Sequence, residues 1–129
     1  MMRLLLDTQV LLWIGLTPSR ISGTARDAIM DVESDCLLSA INPWEMATKV
    51  TTGKLSLPVP LPDFFSGIER DLRATTLPVS LPHIWTYQSL PLVHRDPFDR
   101  MLIAQAITEG ASIVSSDRAL SQYGVTVIW

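Results

Sequence analysis

Apolar residues fall in short blocks separated by single acids, prolines and glycines, and the period changes from block to block. Residues 2–7 are apolar up to Asp7 and predict a short buried strand that ends on that acid. Residues 8–15 predict one or two helical turns closed by Gly15. From Ser22 to Val32, apolar Ala25, Ala28, Ile29 and Val32 recur at helical spacing and predict an amphipathic helix. Residues 35–39 predict a second buried strand, and a helix is expected from Pro43 to about Thr52, stopped by Gly53. Residues 55–62 hold three prolines among apolar residues and predict an extended connector, not a central strand.

The second half continues the alternation. A helix is predicted from Asp63 to Arg73, a third strand over 75–79, and a short helix from Pro82 to about Leu90. Residues 112–116 and 125–128 predict two further strands around a helical turn at 118–122. Between them lies HRDPFDRMLIAQA, residues 94–106. Asp96 is suited to cap a helix, Pro97 to its first position and Asp99 to its third, and Gly110 to its end. Met101 to Ile107 is apolar almost all round, so this helix should be deeply buried. Strands alternating with helices predict an α/β fold with a parallel sheet of four or five strands, covered on both faces. In such sheets sites form beyond the carboxyl ends of the strands, where helix N-termini also point.

Four acids fall at those places. Asp7 and Asp117 end strands, while Glu45 and Asp99 each sit at the expected third position of a helix. Asn42-Pro43-Trp44-Glu45 and Asp96-Pro97-Phe98-Asp99 share one pattern: cap, proline, aromatic, acid. Each acid alone has an ordinary reading. Carboxylates suit helix N-termini, and Glu45 with Lys49, Arg95 with Asp99 and Asp96 with Arg100 have the spacing of helix ion pairs. Brought to one sheet edge, the four would repel one another unless some took protons or a cation neutralised them. Hard oxygen ligands of this kind suit Mg²⁺ or Mn²⁺, ions that support hydrolysis of phosphodiesters. Asp96 is expected mainly as a cap. Thr8 and Ser115 are candidates to bond a metal-bound water or a phosphate; Lys49, Lys54, Arg95 and Arg100 could meet phosphates, with solvated salt bridges as their ordinary reading. His83 and His94 lack metal-ligand spacing and are read as non-catalytic. Trp13, Trp44, Trp85 and Trp129 are read as core or interface.

Composition narrows the picture. With 129 residues, 47% of them hydrophobic, the chain fits one folded domain over 1–129. The apolar runs are too short to span a bilayer, so no membrane association is expected. The single cysteine, Cys36, allows no internal disulfide, and a reducing cytoplasm is the simplest setting. A net charge of −3, from 10 basic and 13 acidic residues, is not that of a protein held on nucleic acid by bulk charge. Glycine-rich phosphate loops, GxSxG elbows and a cysteine–histidine nucleophile pair are lacking.

These motifs resemble those of the PIN-domain family, and most of all the VapC toxins of bacterial type II toxin–antitoxin pairs. The matching stretches are LLLDTQVLLW (4–13), NPWEMATKVTTGKLSL (42–57), HRDPFDRMLIAQA (94–106), IVSSD (113–117) and the closing VTVIW. The resemblance covers nearly the whole chain. It implies a three-layer α/β/α sandwich and Mg²⁺- or Mn²⁺-dependent cleavage of RNA by a metal-activated water. It also implies inhibition by a small cognate antitoxin, and a homodimer. The family's four catalytic and metal-binding acids fall on Asp7, Glu45, Asp99 and Asp117. Its hydroxyl positions fall on Thr8 and Ser115, the latter more often threonine in the family, and Asp96 matches an acid common in this subgroup. An antitoxin groove is expected along Leu55–Phe65 and the Ser22–Val32 helix. Two rival readings are a receiver-type phosphoacceptor and a non-catalytic interaction module whose acids only cap helices. The first would want an acidic pair after the first strand, and here Asp7 stands alone.

Overall fold

The structure is a computed structural model that describes residues 2–129. Five strands form one sheet: β1 (Met2–Leu6), β2 (Ser34–Ser39), β3 (Thr75–Leu77), β4 (Ser112–Val114) and β5 (Val127–Ile128). Their order across the sheet is β3-β2-β1-β4-β5, and every neighbouring pair is parallel. The predicted strands all form, with β3, β4 and β5 shorter than expected. Parallel neighbours need crossover connections, and helices supply them. These are α1 (Thr8–Leu16), α2 (Gly23–Met30), α3 (Ile41–Thr51), α4 (Leu61–Leu72), α5 (Leu81–Ser89) and α6 (Pro97–Glu109).

The central strand explains the unbroken apolar run at the N-terminus. Leu4, Leu5 and Leu6 are all fully buried because both faces of the sheet are covered. Leu4 and Leu6 pack on one side with Val10, Leu11, Met46, Phe64 and Ile68. Leu5 packs on the other with Leu37, Leu102, Ile103, Ala106 and Ile113. The result is three layers, with α6 on one side and α1 and α4 on the other. The predicted α6 is realised residue for residue. Asp96 accepts from the Phe98 and Asp99 amides, Pro97 takes the first position, and Gly110 ends the helix at φ +65°. Among the described residues, no helix is long and apolar enough to cross a membrane.

α3 and α4 each begin two residues earlier than expected. α4 starts at Leu61, with Pro62 and Asp63 already in its first turn. α3 starts at Ile41, so Asn42 and Pro43 lie inside it and Glu45 is its fifth residue, not its third. Asn42 does not cap this helix. Its Oδ1 accepts from the Ser39 amide at 2.7 Å, and its Nδ2 donates to the Leu6 carbonyl at 3.3 Å and to Thr8 Oγ1 at 3.1 Å. A fully buried amide thereby ties the ends of β1 and β2 to the start of α1. Pro43 is tolerated because a first-turn amide has no helical partner to lose.

Candidate active site

The sheet order reverses at β1, which has β2 on one side and β4 on the other. Beyond the carboxyl end of β1 and β4 lies the crevice where such sheets bind ligands. Asp7 is the first residue after β1 and Asp117 the third after β4. The Asp7 amide donates to the Val114 carbonyl at 3.1 Å, so the sheet ladder itself fixes this residue's place. Its side chain caps α1 by accepting from the Val10 amide at 2.8 Å, and only 8% of the residue is exposed. The buried Ser115 hydroxyl accepts from the Asp117 amide at 3.0 Å and also hydrogen-bonds Asp7.

α3 and α6 bring Glu45 and Asp99 to the same place. The four acids sense one another: Asp7 feels the charges of Glu45 and Asp117, and Asp99 those of Asp96, Glu45 and Asp7. Burial, then Asp96 and Glu45, push the Asp99 carboxyl up to about 7, against a smaller opposing pull from His94 and with Asp7 adding to the rise. Asp7 is also raised, by burial first. Its bonds to Ser115 and Val10 work against that, and the nearby Glu45 and Asp117 add to it. Crowded carboxylates, two of them (Asp7 and Asp99) buried enough to resist ionisation, are the donor set that a hard divalent cation satisfies. In that chemical sense Asp7, Glu45, Asp99 and Asp117 fit Mg²⁺ or Mn²⁺.

One neighbour was not expected. His94 lies in the segment between α5 and α6, with Nε2 at 3.3 Å from Asp99 Oδ2 and 3.5 Å from Asp117 Oδ2. The three ligand atoms lie within 4.8 Å of one another. His94 Nδ1 accepts from the Asp96 amide at 3.3 Å, which leaves Nε2 facing the two carboxylates. Nothing in its spacing to other chelating residues signals this; the only sequence cue is that it stands two residues before the cap Asp96.

The supporting residues behave differently from expectation. Arg100 does not reach towards a phosphate. It is buried, its guanidinium donates to the carbonyls of Pro91, His94 and Tyr87 and to Tyr123 Oη, and it stacks 4.9 Å from the Tyr87 ring. Arg100 therefore shapes the segment that carries His94. Tyr123 helps, its hydroxyl accepting from the His94 amide at 2.6 Å. Thr8 is buried against Asn42. Of the three helix ion pairs, Glu45–Lys49 forms at 3.5 Å, while Arg95–Asp99 and Asp96–Arg100 are not found among the described residues. His83 belongs elsewhere, buried between α5 and α6 with Nε2 at 2.8 Å from Glu109. Asp117 also caps the 3₁₀ turn that follows it, accepting from the Ala119 amide at 3.1 Å.

The PIN-domain model matches residues 4–125. The chain belongs to the PIN-domain family. This PIN domain is 28% identical over 124 residues to Ribonuclease VapC22 of Mycobacterium tuberculosis, covering 95% of this chain and 93% of that one. Its fold is similar to that in VapBC2 from Rickettsia felis bound to a DNA fragment from their promoter, with a TM-score of 0.72 at 14% identity, covering 98% and 97% of the two chains. VapBC-1 from nontypeable Haemophilus influenzae gives a TM-score of 0.63 at 14% identity, covering 98% and 96%.

Proposed function

We propose that this PIN domain is a divalent-metal-dependent endoribonuclease and the toxin of a toxin–antitoxin pair, with residues 1–129 acting as one domain. The observation that carries the reading is the convergence of Asp7, Glu45, Asp99 and Asp117 beyond the ends of β1 and β4. The relative's name, Ribonuclease VapC22, supports RNA as the substrate, and the VapBC complexes support a protein partner.

In this reading the four acids hold Mg²⁺ or Mn²⁺ directly or through water. The bound cation supplies the charge that activates a water and stabilises the oxygen leaving phosphorus. The chain's own part is positioning. Val10 and Ser115 fix the Asp7 carboxylate, and Asp96 orders the first turn of α6 that presents Asp99. Asn42 joins both strand ends to the start of α1. His94 Nε2 stands 3.3 Å from Asp99 and 3.5 Å from Asp117, so its ring borders the place where these acids would hold a cation.

A small antitoxin is the proposed partner, and the part of the expected groove that the proposal keeps is the side formed by α2. Phe64 and Phe65 are buried in the core and offer no surface. The apolar cleft beside α2, about 160 Å³, is lined instead by Ile14, Pro18, Ile21, Ile29, Met30 and Leu72. One or two apolar side chains of a helical or extended segment fit such a cleft.

The test is RNA cleavage by purified protein in Mn²⁺, in EDTA, and as Asp99→Asn. Cleavage should occur only in the first case. Asp99→Asn should lower it by more than the ~10–100-fold that loss of an outer-sphere partner costs. Equal cleavage under all three conditions rejects the reading.

A further inference from the structure

Beside the acidic cup lies a pocket of opposite charge. A cavity of about 310 Å³ runs between α1, α3 and the segment after α3, and Arg20, Lys49 and Lys54 line it together with Gln9 and Trp13. Three of the chain's ten basic residues meet there, and no carboxylate is among the lining residues. In a chain of net charge −3 this is a local exception. Two features join it to the cup. Gln9 follows Asp7 and Thr8 at the start of α1, and Lys49 is one helical turn from Glu45 and paired with it at 3.5 Å. The Arg20 guanidinium lies 5.9 Å from the centroid of the Trp13 ring, which itself packs at 5.5 Å on Trp129. The exposed Arg20 fork thus stands over an aromatic ring at the cavity.

We propose that this cavity is the binding subsite for the single-stranded RNA flank on one side of the scissile bond. Arg20 and Lys54 grip its phosphates, and Lys49 stands at the junction with the cup. The inference rests on the nuclease reading above. Its physical basis is that four carboxylates repel a polyanion, so strand affinity has to come from cations nearby. A groove of cations with an aromatic ring is the usual means of holding single strands without regard to sequence. An acidic protein segment would find the same charges, so the experiment compares the two.

Binding of a labelled ten-nucleotide single-stranded RNA is measured by fluorescence anisotropy in Mg²⁺, on an Asp99→Asn background so that the strand stays intact. Adding Arg20→Ala with Lys54→Ala should weaken binding about tenfold. It should also flatten the dependence of log K on log salt by about 1.4, at roughly 0.7 for each phosphate no longer neutralised. Arg73→Ala, removing a cation that lines a different cavity, should change neither. Both Arg20 and Lys54 are exposed, so an unchanged melting temperature is expected and checks that the fold is intact. On the otherwise unmodified chain the same pair should raise KM for RNA and leave kcat near its original value. Unchanged affinity and salt slope overturn the subsite while leaving the nuclease intact. So does a loss confined to a poly-aspartate peptide, with RNA binding preserved. If the unmodified chain neither cleaves nor binds RNA, the nuclease reading and the subsite fall together.

Discussion

At the scale of single residues, the site is under electrostatic tension that can be measured without any substrate. Asp99 keeps its proton up to about pH 7, whereas in the unfolded chain it loses it near the ordinary value of 3.8. Between those values the folded chain binds the extra proton. Its stability therefore falls as pH rises through that window, and the loss is complete above the folded value. Asp7 shifts in the same direction and adds to the trend. In EDTA the melting temperature should drop from about pH 5 to about pH 8. Asp99→Asn should flatten that slope and melt higher than the unmodified chain at the alkaline end. Mn²⁺ should raise the melting temperature of the unmodified chain at about pH 8, since a ligand of the folded state stabilises it. An Asp99→Asn protein that melts lower at alkaline pH would mean the carboxylate is stabilising, contrary to the burial argument. Asp7, Asp99 and Asp117 stood out in the sequence because caps, first turns and strand ends are local features, whereas Glu45 was expected in a first turn and lies beyond it. His94 did not stand out, because its approach to Asp99 and Asp117 depends on Arg100 and Tyr123, which bind its backbone from other elements.

At the scale of elements, contacts between helices override what each helix would choose alone. Gly15 lies within α1, where alanine is intrinsically better by about 1 kcal/mol. A Cβ there, however, would sit 2.5 Å from Phe64 Cζ and 2.7 Å from Phe64 Cε1 on α4. Overpacking of this kind costs about 1–3 kcal/mol, so Gly15→Ala should destabilise despite its better propensity. Chemical denaturation should give a net loss of up to roughly 2 kcal/mol after the intrinsic gain. Phe64→Leu added to Gly15→Ala should recover part of it. The segment between α5 and α6 is held in a comparable way by Arg100. A lysine has no fork to span several carbonyls, so Arg100→Lys should cost about 1.5–3 kcal/mol. Faster amide exchange should be confined to residues around His94. The same competition explains the helix starts. The periodic pattern located α2, α5 and α6 closely, but α3 begins before Pro43 because Asn42 spends its amide on β1, β2 and α1.

At the scale of the whole molecule, the alternation of strand and helix made the parallel, two-sided sheet readable. The strand order did not follow from it, because local periodicity carries no information on which strand neighbours which. Nor did the pattern reveal what the surface leaves uncovered. Trp44, Leu81 and Trp85 are each 61–62% exposed, and a cavity of about 550 Å³ between α3, α5 and α6 is lined by Trp44, Val79, Ile84, Tyr87, Phe98 and Met101. The lining is nearly all apolar. Contiguous apolar patches on this scale mark interaction sites, and a two-fold axis would let the face pack on its own copy. Trp44 and Phe98, in edge contact at 5.1 Å, each precede a site acid, Glu45 and Asp99. Pairing through this face would therefore set the two acidic cups beside a shared apolar seam. As part of the proposed toxin, this predicts a homodimer. Light scattering at micromolar concentration should give twice the 14.3 kDa chain mass for the unmodified protein. Ile84→Glu with Trp85→Glu, both on α5 and outside the cup, should give the single-chain mass while metal binding persists. A monomer before substitution removes the dimer, and a dimer that survives both charges moves its interface off this face.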